Sequence, residues 1–170
     1  MRRAMHEALW SLVRVSAMLV CLLSLPGTVF AQPLREQLVG AWRSVSIYNE
    51  DKGVKRDLYG DKPVGLTVFD RSGYVIQYLS KADVPKFAAD NRLKGTDQEY
   101  RTVMQSIISG FGTYTVDGDT VTIKWVASTY PNRAGTTEQR TYKITGDRMT
   151  AVNPTAASGG TSYHTFERAR

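Results

Sequence analysis

Apolar and polar positions alternate at short period through most of the chain beyond residue 40. Residues 40–48 alternate loosely around Trp42, Val45, Ile47 and Tyr48 and read as a first strand. Turn-forming residues 49–53 follow, then a short second strand at 54–59 and a turn at 60–63. Strands at 65–69 and 74–79 flank Asp70-Arg71-Ser72-Gly73, a four-residue connection suited to a type I turn. Strands at 112–116 and 120–128 meet at Asp117-Gly118, and strands at 137–145 and 148–152 meet at Gly146-Asp147. Residues 161–168 form a last strand. Short strands separated by turn signals predict a mainly β, antiparallel sandwich or barrel.

One segment breaks this rhythm. Thr96-Asp97-Gln98-Glu99 is a capping box, in which hydroxyl and carboxylate satisfy each other's orphan backbone donors. Tyr100, Val103, Met104, Ile107, Ile108 and Phe111 then recur at helical spacing, with Gly110 as a terminator. The pattern predicts an amphipathic helix over 97–109, which must lie on an apolar surface such as a barrel mouth or wall. Before it, residues 80–96 form a connection long enough to be a lid or a packed crossover. The loop at 130–135 is a second candidate for the same mouth. No repeat of 20–50 residues is present, which excludes solenoids and propellers.

The first 31 residues are of another kind. Arg2, Arg3 and Arg14 precede or enter an apolar run at 15–25, interrupted by Pro26-Gly27 and closed by Val29, Phe30 and Ala31. This predicts a secretory signal peptide cleaved after Ala31, export to the periplasm or extracellular medium, and a single domain over 32–170. An uncleaved anchor would need roughly 20 continuous apolar residues, and Pro26-Gly27 cuts the run short. Cys21 lies inside the leader, so the expected mature chain has no disulfide, thiolate metal site or cysteine nucleophile. Met18-Leu19-Val20 before it lacks the small residues of a lipidation signal. The mature segment carries 19 basic and 15 acidic residues, net +4, scattered without a basic stripe. That disfavours nucleic acid as a partner, and no stable membrane insertion is expected after cleavage.

The ordered motifs Leu38-Val39-Gly40-Ala41-Trp42-Arg43, Tyr59-Gly60-Asp61 with Pro63 and Gly65-Leu66, Gly73-Tyr74-Val75, Glu99-Tyr100, Phe111-Gly112-Thr113-Tyr114, Ser128 with Pro131-Asn132, Gly146-Asp147-Arg148 and Phe166-Glu167-Arg168 span nearly all of the mature segment. In these the chain resembles the bacterial and fungal lipocalin-like domain family of the calycin barrels. The resemblance implies an antiparallel up-and-down β-barrel of about eight to ten strands with one inserted amphipathic helix. It also implies that Gly40-Ala41-Trp42 sits at the closed end with Arg168 packed over the indole. A guanidinium so placed gains about 0.5–2 kcal/mol, which assigns Trp42 and Arg168 to barrel closure.

Catalytic sets are scarce. His164 is the one histidine after the leader, and no nucleophile elbow, phosphate loop or dinucleotide fingerprint accompanies it. A zinc site needs more His or Cys ligands than are present. No metal and no cofactor is expected. Glu138 and Arg140 are in phase with Tyr142 and Ile144, so if that phase faces inward the Arg needs a partner. The partner is Glu138, a structural outcome, or the anionic head of a ligand. All nine tyrosines lie after the leader. An eight-stranded barrel is just wide enough to hold one small ligand or to be filled by side chains. The leading expectation is an exported barrel that binds a small, mostly apolar molecule, with Tyr78, Phe87, Tyr100, Tyr130 and Arg140 as pocket residues. The alternatives are an isomerase or hydrolase using the same pocket, or a filled structural barrel.

Overall fold

The computed structural model describes residues 33–170. The expected signal peptide lies outside the described residues. Along them run α1 (Leu34–Leu38), β1 (Gly40–Asp51), β2 (Val54–Arg56), β3 (Val64–Phe69), β4 (Tyr74–Ser80), α2 (Asp97–Ser106), β5 (Ile107–Asp117), β6 (Thr120–Ser128), a 3-10 turn (Pro131–Arg133), β7 (Thr137–Thr145), β8 (Arg148–Asn153) and β9 (Thr161–Arg168).

Each strand from β3 onward pairs antiparallel with the next, and β1 pairs with both β3 and β9. Eight strands therefore close into an up-and-down barrel, with β2 added beside the end of β1. Closure leaves the barrel strands without an open sheet edge. β1 is long enough to pair along one edge with β3 through residues 40–43 and with β2 through 49–51, while its other edge pairs with β9 across a register shift between Ser44 and Ser46.

Alternation of buried and exposed positions through residues 74–79 of β4 and 137–143 of β7 turns one face of each strand inward. The Asp70–Gly73 turn is fastened by the Asp70 carboxylate, which accepts from the Ser72 amide at 2.7 Å. Gly73 there adopts a φ of +101°, a region L side chains avoid. Three tight turns, after β3, β5 and β7, fall at one end of the barrel, as an up-and-down meander requires. The longer connections after β2, β4, β6 and β8 fall at the other.

The tight-turn end is filled. Leu38, Trp42, Phe69, Val75, Tyr114, Val121, Ile123, Trp125, Tyr142, Met149, Ala151 and Phe166 form one buried apolar cluster, with Leu34 packed against it. Phe69 meets Tyr114 and Tyr142 edge-on, with centroids 5.1 and 5.7 Å apart. The helix α1 contributes Leu38, whose carbonyl accepts from the Trp42 indole at 2.7 Å. Arg168 lies 4.1 Å from the Trp42 ring centroid and donates to the carbonyls of Gln37 and Val39. Trp42 and Arg168 thus meet at the filled end.

The long helix expected over 97–109 is shorter. Its capping box forms, with Glu99 donating its amide to the Thr96 hydroxyl and accepting from the Thr96 amide. The helix stops at Ser106, and Ile107 is already extended. Ile107 and Ile108 pair with Ser80 and Leu79, and Gly110 pairs with Gln77 rather than terminating a helix. The apolar spacing is helical across this stretch, but the ladder with β4 captures the β-branched Ile107 and Ile108 as strand. Tyr100 and Met104 remain exposed. At the shift between Phe111 and Gly112, a side chain on Gly112 would collide with the Lys124 backbone, so only glycine lets β5 and β6 approach there.

Candidate ligand-binding site

The other half of the barrel interior is polar and hollow. Its inward positions are the register continuations of the strands that fill the closed end: Ile47 and Asn49 of β1, Gln77 and Leu79 of β4, Glu138 and Arg140 of β7, Asn153 of β8, and Ser162 and His164 of β9. They line a cavity of about 220 Å³. The long connections frame its mouth through Tyr59, Met104, Tyr130 and Ala156 to Ser158. Ile107 and Ile108, at the start of β5, supply apolar wall.

A charged cluster forms the cavity's most strongly polarised wall. Glu138 accepts from Arg133 Nε at 2.8 Å through Oε1 and from Arg140 Nη2 at 2.7 Å through Oε2. Arg133 Nη2 also donates to Oε2 at 3.2 Å and to Gln77 Oε1 at 3.3 Å. All three ions are at least nine-tenths buried. Burial alone would push the Glu138 carboxyl pKa up, but Arg140 and Arg133 outweigh it and hold the value at about 2. Arg133 also lies 3.5 Å from the ring centroid of Trp125, so the indole supports the guanidinium from the core side.

His164 sits beside this cluster, stacked on Phe166 at 5.8 Å. Its Nε2 contacts Ser162 Oγ at 2.8 Å, and its Nδ1 is buried without a hydrogen-bond partner. Burial first, then Arg140 and Arg133, depress its pKa to about 3, so the ring is neutral at pH 7. Burial raises the pKa of the Tyr59 and Tyr142 hydroxyls, keeping both protonated.

The residues named from sequence are dispersed by the fold. Arg140 faces inward and binds Glu138, and Tyr130 stands at the mouth. Tyr78 points outward, because the phase of β4 turns Gln77 and Leu79 in; it shares the outer wall with Leu66 and Ile76. Phe87 and Tyr100 pack on each other at 5.5 Å, and the Tyr100 hydroxyl accepts from the Gly95 amide. Neither lines the cavity. The connection before α2 is held to the helix start by Glu99, which accepts from the Ala88 amide at 2.7 Å, so it packs on α2 instead of covering the mouth. Arg133, Gln77, Asn153 and Ser162 were missed. The alternation of β4, β8 and β9 could have marked the last three, whereas Arg133 enters from a loop that carries no period.

The model of the lipocalin-like domain matches residues 39–168 of the chain. Among solved structures, a lipocalin-like protein from Bacteroides uniformis is 13% identical, aligned over 78% of this chain and 98% of that one, with a TM-score of 0.44. An uncharacterized protein from Bacteroides eggerthii is 15% identical over 78% of this chain and 99% of that one, with a TM-score of 0.40. No functionally curated protein matches the chain.

Proposed function

The chain belongs to the lipocalin-like domain family, and on that premise we propose that it binds one compact, mostly apolar molecule in the open half of its barrel. The observation that carries this is the unfilled cavity of about 220 Å³ above a filled core. A barrel built only as a scaffold gains stability by filling that space, since each missing methylene-sized volume costs dispersion and transfer energy. Here side chains from six strands stop short of one another around a polar wall. Ile47, Leu79, Ile107 and Ile108 supply the apolar enclosure, and Gln77, Asn153 and the Arg133–Glu138–Arg140 cluster supply orientation. The leader-like residues 1–31 support the same activity outside the cytoplasm, in the periplasm or the medium.

A catalytic reading draws on the Ser162–His164 contact. It is the weaker one, because two guanidiniums and burial destabilise the imidazolium that a general base must become. A hydrolase or isomerase reading requires pH-dependent turnover lost in His164→Ala. Carriage predicts none. Native mass spectrometry of freshly purified protein, followed by solvent extraction, tests carriage directly. A stoichiometric small molecule is expected, and Ile108→Trp, which fills the cavity, is expected to abolish it. Protein that never retains a small molecule, from any host or growth medium, would overturn the reading.

A further inference from the structure

The cavity lining has an unbalanced charge. Its charged side chains are Arg133, Arg140 and Glu138, and every other lining residue is uncharged at neutral pH. One carboxylate thus serves two guanidiniums, and the lining keeps a formal excess of one positive charge. All three groups are buried to 8% exposure or less. A buried charge without a counterion is costly, and the cost is relieved when an opposite charge is brought within reach. The neutral partners are arranged to tolerate an anion. Gln77 presents its carbonyl to Arg133, which turns the amide nitrogen to the other side. Asn153 accepts the Thr155 amide through its carbonyl and directs its amide nitrogen to Glu138 Oε2 at 3.5 Å. If Ser162 donates to His164 Nε2, the imidazole proton sits on Nδ1, a buried donor that lacks an acceptor.

We infer that the cavity selects a compact monoanion, a carboxylate on a small aromatic or branched aliphatic body, with its head against Arg133 and Arg140. The inference rests on the carriage reading and adds the charge and size of the cargo to it. One negative charge brings the lining to neutrality, whereas a dianion overshoots it and a neutral isostere leaves the excess in place. The planar fork of a guanidinium matches a carboxylate in both geometry and charge. Size follows from volume. The cavity of about 220 Å³ is smaller than the roughly 300–1,000 Å³ that holds drug-sized ligands, which excludes a fully enclosed long acyl chain.

Calorimetric titration of the purified chain with acid–amide pairs tests this. Benzoate with benzamide, phenylacetate with phenylacetamide, and cyclohexanecarboxylate with its amide share shape and differ in charge. At pH 7 at least one acid is expected to bind about tenfold or more tightly than its amide. In Arg133→Met, which leaves the neutral Glu138–Arg140 pair, that ratio is expected to fall toward one. The wild-type comparison stands by itself if the variant does not fold. Amides that bind as well as their acids would overturn the monoanion inference and leave carriage standing, as would a neutral molecule recovered from the native protein. Failure of all three acids overturns the inference too. Carriage itself falls only if no molecule of any kind is retained.

Discussion

The guanidinium carbon of Arg133 lies 3.5 Å from the ring centroid of Trp125. This contact joins the two halves of the barrel. Trp125 is fully buried in the apolar cluster, and Arg133 holds Glu138 in the cavity wall. A side chain from a surface loop is thereby fixed between core and site.

The three buried ions do not contribute alike. Glu138→Gln leaves two buried guanidiniums without a carboxylate and is expected to cost about 3–5 kcal/mol. Arg133→Met leaves a neutral Glu138–Arg140 pair and is expected to cost markedly less, while shifting Trp125 emission. Urea unfolding of both variants at pH 7 checks the order, and equal losses would contradict it.

Stability is expected to fall in acid in two stages. His164 is neutral in the fold with a pKa of about 3, against 6.5 for the free group. A depressed native pKa means that the unfolded chain binds the extra proton, so stability present above pH 6.5 is lost as pH falls toward 3. The slope is about 1.4 kcal/mol per pH unit. Glu138, held at about 2 against 4.5, adds a second loss below pH 4.5. In His164→Gln the decline between pH 6.5 and 4.5 should flatten in denaturant titrations.

At the closed end, Arg168→Ala removes a stacked cation and two donors to backbone carbonyls of the α1 segment. A loss of about 2 kcal/mol is expected. Arg168→Lys should restore part of it by keeping the charge over Trp42. Thermal melts of the two variants distinguish a packed closure from a surface ion.

Thr96→Ala deletes the hydroxyl that caps α2, at an expected cost of about 1 kcal/mol. Because α2 makes part of the mouth, faster amide exchange over residues 97–106 should accompany weaker retention of the bound molecule. Unchanged exchange would show that the helix is held by other contacts.

Two tyrosines named from the sequence should separate in binding. Tyr130→Ser alters the mouth and is expected to weaken retention, whereas Tyr78→Ser on the outer wall should leave it unchanged. Titration with a single cargo molecule reads both.

The fold was largely legible because its signals are local. The turns at Asp70–Gly73, Asp117-Gly118 and Gly146-Asp147 and the Thr96–Glu99 capping box act within a few residues and formed where the pattern placed them, while the second strand, expected over 54–59, ends at Arg56. That Glu138 and Arg140 share a face of β7 with Tyr142 was also readable, and the fold decided that this face turns inward. The helix end was misread for a physical reason. The apolar residues at 100, 103, 104, 107, 108 and 111 keep a helical spacing throughout, and the turn to strand at Ile107 was set by pairing with β4, a partner distant in sequence.

Sequence by itself determined an antiparallel chain of short strands with an amphipathic helix inserted, the Trp42–Arg168 closure implied by family resemblance, and the pairing of Glu138 with Arg140 as one available outcome. Tertiary structure decided that the interior is filled at one end and hollow at the other, and that Arg133 dips from its loop to share Glu138. Those outcomes depend on how far opposing side chains reach across the barrel. That distance is set by register and closure among strands far apart in the chain, and no local pattern encodes it.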